Sequence, residues 1–325
     1  VLDRVVLNSL FPDTTYSNES GGDPEVIPEL TYEEYLDFHR RYYHPSNSFI
    51  YLYGDMDMSE RLDWIDENYL SHFEKIEVDS EVRLQKPFAE RKEEYGFYSV
   101  TEGEDTEGKA YFSYNTVCGD GLDRNLYRAF PVLSYVLVQS IGAPLKQALL
   151  DAGIGNDISC YYEESVRQPF FSIIAKNVKM EQKQQFINVI ETELKKIVKE
   201  GLNQQSLLAA INGYEFQYRE ADFGNFPKGL MYGLQIFDSW LYDENKPFIH
   251  IQANDTFTFL KKQVGTDYFE KIIEKYLLKN PHATFVSVQP KVGLTTLMEE
   301  EEKKKLADYM ETLSDEQKAA LVKET

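Results

Sequence analysis

Apolar residues recur at helical spacing from the first position: Val1, Leu2, Val5, Val6 and Leu10 trace one stripe of a helix. Residues 17–30, SNESGGDPEVIPEL, interrupt the pattern with Gly and Pro and predict a connector. The stretch LTYEEYLDFHRRYYHPSN that follows predicts a helix. Thr31 is placed as its N-cap, Glu34 as the reciprocal capping-box partner, Leu30 and Tyr35 as a hydrophobic staple, and Pro45 as its end. An apolar run over 49–53 predicts a short strand, and Asp57 with Glu60 start a helix reaching about residue 73.

Strand patterns over 95–100 and 110–117 flank EGEDTEG and predict an antiparallel hairpin. Residues 122–140 carry a helical pattern with Pro131 near the middle, so a kink or two short helices is expected. IGAPLKQALLDAG predicts a cleaner helix, with Pro144 in its first turn and Gly153 just past its end. A second hairpin is predicted from 157–164 and 170–178. Amphipathic helices follow over 181–200 and 204–222, the second capped by Asn203. FGNFPKGLMYG reads as a loop leading to a helix that ends near residue 242; helices over 255–264 and 267–278 and a closing strand, ATFVSVQP, complete the pattern. Hairpin strands separated by groups of helices predict an α+β fold: a two-layer domain whose sheet is dominated by antiparallel pairs and packed with helices. Past Pro290, Glu299, Glu300 and Glu301 precede Lys303, Lys304 and Lys305 by four residues each. With a capping box at Ser314 and Gln317, this predicts the start of a charged helical hairpin.

Composition narrows the partners. Hydrophobic residues make up 42% of the chain and aromatics 14%, enough for a packed core and too much for general disorder. Against 34 Lys and Arg stand 55 Asp and Glu, a net charge of −21 that repels nucleic acid and anionic membrane surfaces and favours basic peptides. Cys118 and Cys160 stand far apart, which gives neither a disulfide framework nor a thiolate zinc site and fits a reducing compartment. No apolar run approaches the ~20 residues that span a bilayer. The first helix lacks an N-cap and an initiator Met, and the last stops at Thr325 before it is long enough to be stable alone. Both features lead us to expect a longer parent protein.

Two histidines, Asp37, Glu33 and Glu34 in the 30–47 stretch raise the question of a metal site. Helical ligand pairs sit at i and i+4, whereas His39 and His44 are five apart, roughly 140° around the axis, and diverge. His39 shares a face with Tyr35, Leu36 and Tyr43 and is expected to be a buried, hydrogen-bonded histidine. The acids suit the helix dipole and an Asp37–Arg41 pair. His72, His250 and His282 each lack a second ligand at metal spacing. Nucleophile-elbow, phosphate-loop, dinucleotide and H-E-x-x-H patterns do not occur.

SGGDPEVIPELTYEEYLDFHRRYYHPSNSFIYLYGDMD, IGAPLKQALLDAGIGNDIS and NFPKGLMYGLQIFDSWLYD resemble segments of the insulinase-like (pitrilysin) zinc metallopeptidases, nearest to the presequence-protease and falcilysin subfamily. Lys228 stands where that family's F-P-R-G-L segment has Arg. The resemblance implies a LuxS/mitochondrial-processing-peptidase-like domain. Its parent would be a zinc endopeptidase of four related domains that degrades unfolded oligopeptides in a closed chamber, and the excess of carboxylates in this chain favours basic ones. It further implies that residues 1–47 are the tail of the first, zinc-bearing domain, 48–290 the second, noncatalytic domain, and 291–325 the start of the linker. The H-x-x-E-H motif is absent from this chain, so no catalytic or metal residue is assigned and zinc is expected only in the full-length parent. The expected partners are oligopeptides and the remaining domains of the same chain, with neither nucleic acid nor membrane. The expected compartment is the bacterial cytoplasm, with an organellar matrix as the alternative. A peptidase-derived scaffold or peptide-binding subunit without metal is the alternative function. Phe226, Lys228 and Tyr232 are the candidate chamber-facing residues, because Gly/Pro punctuation and mixed apolar and cationic chemistry suit a peptide-contacting loop.

Overall fold

A computed structural model describes residues 1–324. Its strands β1 (Lys92–Val100), β2 (Ala110–Val117), β3 (Asp157–Glu163), β4 (Phe170–Val178) and β5 (Ala283–Val292) form one sheet in the order β1-β5-β2-β4-β3. Only β1 and β5 run parallel; the other neighbours are antiparallel. The α+β reading holds, and so does the β3–β4 hairpin. The predicted β1–β2 hairpin does not form, because β5 lies between its two strands. The reason is burial. Ala283 through Ser287 and Val288 of β5 are buried on both faces, so that strand needs a neighbour on each side. By contrast β1 opens with Lys92, Glu93 and Glu94, all exposed, which is edge-strand chemistry.

Alternate side chains of β2 and β4 face a helical layer: Phe112, Tyr114, Phe171, Ile173 and Ala175 meet helices α4 (Arg124–Ser134), α5 (Pro144–Asp151), α6 (Lys183–Glu200) and α7 (Gln204–Glu220). On α6 the buried residues Phe186, Ile187, Ile190, Leu194 and Ile197 keep helical spacing, and Phe186 completes an aromatic trio with Phe112 and Phe285. Each buried Phe of this trio contributes about 1.5–3 kcal/mol. Asp123 caps α4 through the Asn125 and Leu126 N–H groups. Pro131 supplies no N–H to the Tyr127 carbonyl, yet the helix continues and opens into a π-helical turn over Tyr135–Gln139.

Helix α8 (Lys228–Trp240) follows α7, and α9 (Asn254–Gln263) and α10 (Tyr268–Ile272) complete the layer. The opposite sheet face is covered at one end by α1 (Leu2–Leu10), whose Val6 and Leu10, with Phe11, pack on Val117, Phe170, Val286 and Val288. The 30–47 stretch forms α2 (Tyr32–Tyr42) with the expected capping box, and Asp57 caps α3 (Met58–Asn68). The predicted strand over 49–53 is absent. Phe49 packs on Trp240 at 4.7 Å, and the Tyr51 hydroxyl donates to the Gly229 carbonyl at 2.8 Å, so the run serves α8 and not the sheet. Gly229 and Gly233 permit this: a Cβ there would stand 1.9 Å from the Tyr53 ring and 2.5 Å from the Tyr51 ring. Beyond β5 come α11 (Leu294–Thr312) and α12 (Asp315–Glu324), the two charged helices predicted there, with Ser314 and Gln317 capping as expected.

Candidate functional site

The predicted residues gather at the start of α8, where the loop is shorter than the sequence suggested. It ends at Pro227, so Lys228 and Tyr232 are helical. Phe226 projects into solvent. The Lys228 ammonium donates to the Glu220 carbonyl at 3.1 Å, at the end of α7, and Tyr232 meets the Phe223 ring edge-on at 5.4 Å. His39 is exposed, against expectation, and stacks on Tyr43 at 4.8 Å. Helix α2 buries no residue, so its apolar face offers His39 no core. His44 accepts the Ser46 N–H on Nδ1. The two imidazoles line a hollow of ≈920 Å³ without converging. Among the described residues no three His, Cys, Asp or Glu side chains come together to hold an ion, so the zinc that the resemblance implies for the parent has no fit here.

A cluster that sequence reasoning missed lies at the other end of α8. The Tyr127 hydroxyl, on α4, donates to Asp238 Oδ2 at 2.7 Å, and the Tyr127 ring stacks on His250 at 3.7 Å. Next to Tyr127, Arg128 donates to the His250 carbonyl at 2.8 Å and lies over the Tyr127, Tyr218 and Phe257 rings. Burial and the nearby Glu163 raise Asp238 to about 6. Burial, Asp238 and Glu163 raise Glu164 to about 7. Burial and the charge of Arg128 lower His250 to about 4. Glu163 is occupied by the Tyr161 hydroxyl and by Ser165. Among the described residues Glu164 meets its own backbone N–H and no basic side chain at ion-pair distance. The available signal was the adjacent pair Glu163-Glu164 at the end of a predicted strand.

The β3–β4 turn is fixed from outside. The Arg167 N–H donates to the Tyr16 hydroxyl at 2.9 Å, the Tyr16 and Tyr242 hydroxyls are 2.9 Å apart, and Tyr242 donates to the Ser165 carbonyl at 3.0 Å. Arg167 also pairs with Asp120 at 2.9 Å. Strand β3 itself is a sheet edge. It pairs with β4 on one side, which leaves alternate backbone N–H and C=O groups facing away from the ladder.

A cavity borders β3 on each face. One, ≈680 Å³, lies between the sheet and α1, with Ser159, Tyr161, Ser172 and Lys176 in its wall; the Ser172 hydroxyl is buried without a partner. The other, ≈300 Å³, lies on the helical side, with Arg128, Cys160, Tyr162, Glu164 and Tyr214 in its wall. An edge with unpaired backbone groups and hollows on both faces has the chemistry to take an extended peptide as an added strand, with alternate side chains entering either hollow.

The family profile described as "Peptidase M16 inactive domain" matches residues 29–214. Protein HypA of Clostridium perfringens is 42% identical over 308 residues, which is 95% of this chain and 32% of that protein. Presequence protease 1, chloroplastic/mitochondrial, of Arabidopsis thaliana is 33% identical over 333 residues, which is 100% of this chain and 31% of that protein. The chain therefore spans about a third of the length of the curated relatives it matches. A crystal structure of a peptidase M16 inactive domain from Pseudomonas fluorescens superposes with a TM-score of 0.63 at 16% identity, over 89% of this chain and 65% of that one. This last likeness is one of fold.

Proposed function

The chain belongs to the peptidase M16 inactive-domain family, and on that premise we propose that it is a noncatalytic, peptide-contacting wall of a zinc-dependent metalloendopeptidase that degrades unfolded oligopeptides inside a closed chamber. The observation that carries this reading is the β3 edge, free on one side and bordered by a cavity on each face. Backbone pairing along such an edge recognises any extended chain and excludes folded ones, and this suits a general oligopeptide substrate. The net charge of −21 draws basic peptides toward that surface.

This domain's own work is to bind and orient. The parent's zinc would supply the acidified water that attacks the peptide bond, and its ligands lie outside this chain. Phe226, Lys228 and Tyr232 form a second contact patch at the start of α8. The thiols of Cys118 and Cys160 are unpaired, which supports a reducing compartment for the parent, the bacterial cytoplasm or an organellar matrix. Among the described residues no helix is long and apolar enough to cross a membrane.

The test is peptide hydrolysis by the intact zinc-loaded parent. Unfolded basic peptides should be cleaved and folded proteins spared. Failure to cleave any of a panel of basic peptides would end the enzyme reading. Lys228→Glu in the same protein should change KM in opposite directions for basic and acidic peptides; unchanged KM for both would remove Lys228 from the contact surface.

A further inference from the structure

Among the described residues Glu164 has no basic side chain at ion-pair distance, and the hollow it borders has three tyrosines, Tyr161, Tyr162 and Tyr214, in its wall together with Arg128. We propose that the ≈300 Å³ hollow beside β3 is a subsite for one basic side chain, lysine or arginine, of a peptide lying along the free edge of that strand, with the Glu164 carboxylate as its counter-ion. The inference rests on the peptide-contacting role of the β3 edge and adds a specificity-determining residue to it.

Three observations carry it. The hollow follows the strand: Cys160, Tyr161 and Tyr162 belong to β3, and Glu164 comes directly after it. A peptide held by β3 backbone groups therefore has its side chains at the mouth of the hollow, within reach of an extended lysine or arginine. The walls also suit a cation, because the aromatic side chains of Tyr161, Tyr162 and Tyr214 line the hollow beside a carboxylate. Lastly, the Tyr162 hydroxyl is buried without a partner, so the hollow is left polar and unsatisfied.

Arg128 also lines the hollow and is the obvious objection. Its Nη2 donates to the His250 carbonyl and its guanidinium lies over the Tyr127, Tyr218 and Phe257 rings, while its Nε is buried without a partner. The groups facing Glu164 are Asp238 on α8, Glu163, Tyr161 and Tyr162 on β3, Tyr127 and Arg128 on α4 and Tyr214 on α7. Both carboxylates act on Glu164 more strongly than Arg128 does, so the field at the mouth is negative. Burial and this field hold Glu164 at about 7, and an arriving ammonium or guanidinium would stabilise its ionised form. Binding a basic side chain at neutral pH therefore releases a proton from Glu164.

The probes are two short capped peptides of otherwise identical, unstructured sequence, one with a lysine and one with norleucine in its place. Binding of each to this chain is measured by titration calorimetry. The wild-type protein should prefer the lysine peptide by about tenfold, and Glu164→Gln should bind both peptides at the norleucine level. Equal binding of the two peptides by wild type, or full lysine preference in Glu164→Gln, would overturn the subsite and leave peptide binding by the β3 edge intact. If wild type binds neither peptide, the subsite falls together with the wider reading. A pH series on wild type is independent of whether the variant folds. The lysine preference should shrink as pH falls from about 8 to about 5.5, across the Glu164 value of about 7, and a flat preference would overturn the proposal.

Discussion

Asp238→Asn isolates the energetic consequence of burying a carboxylate in the α8 cluster. Asp238 is held at about 6 against an ordinary 3.8, chiefly by burial and next by the charge of Glu163. A carboxyl whose folded value lies above its ordinary one takes up a proton on folding. Its contribution therefore favours the fold below 3.8 and is lost as pH rises through about 6. At ~1.4 kcal/mol for each tenfold change in proton affinity the full effect is ~3 kcal/mol. Asp238 is only half-buried, and solvent screening reduces this to about 1–2 kcal/mol. Asparagine keeps an oxygen that can accept the 2.7 Å hydrogen bond from Tyr127 and carries no charge. The variant should thus be more stable than wild type by about 1–2 kcal/mol at pH 8 and lose that advantage by pH 4. The assay is urea denaturation of both proteins over this range, read as the difference in unfolding free energy. His250, lowered to about 4, favours the fold above its ordinary 6.5 and is lost as pH falls, but it is present in both proteins and cancels. A difference that does not change with pH, or a variant less stable at pH 8, would refute the reasoning.

Phe112→Ala should cost about 3–5 kcal/mol in the same denaturation assay, because the ring is fully buried against Phe186 and Phe285. Gly233→Ala should destabilise by about 1–3 kcal/mol despite alanine's better helix propensity, since the new Cβ meets the Tyr51 ring at 2.5 Å; an unchanged midpoint would mean that Tyr51 moves aside freely. Glu215→Gln should destabilise by about 1–2 kcal/mol at neutral pH, because this buried carboxylate pairs with Arg219 and Lys261, both partly exposed. Glu215 is lowered mainly by Lys261, so the penalty should fade as pH falls below its ordinary 4.5.

The sequence by itself determined the helices, their caps and the class of the fold. Thr31 with Glu34, Asp57, Asn203 and Ser314 with Gln317 signal helix starts through hydrogen bonds that close within three residues, and each forms as read. The β3–β4 hairpin was legible for the same reason, since its strands are near neighbours along the chain. Of the candidate site, the segment carrying Phe226, Lys228 and Tyr232 was visible as a motif, although its helix begins earlier than the Gly/Pro punctuation suggests.

Only the tertiary structure decided the rest. That β5 enters between β1 and β2 depends on pairing across nearly two hundred residues of chain, which no local pattern encodes. Phe49, Tyr51 and Tyr53 have the alternation of a strand, and only the glycine face of α8 shows what they pack against. Tyr127, Glu164, Asp238 and His250 each lie on a different segment and read singly as ordinary polar residues. Their proton affinities move because folding removes them from water and sets them beside one another, and both effects arise only when distant segments meet.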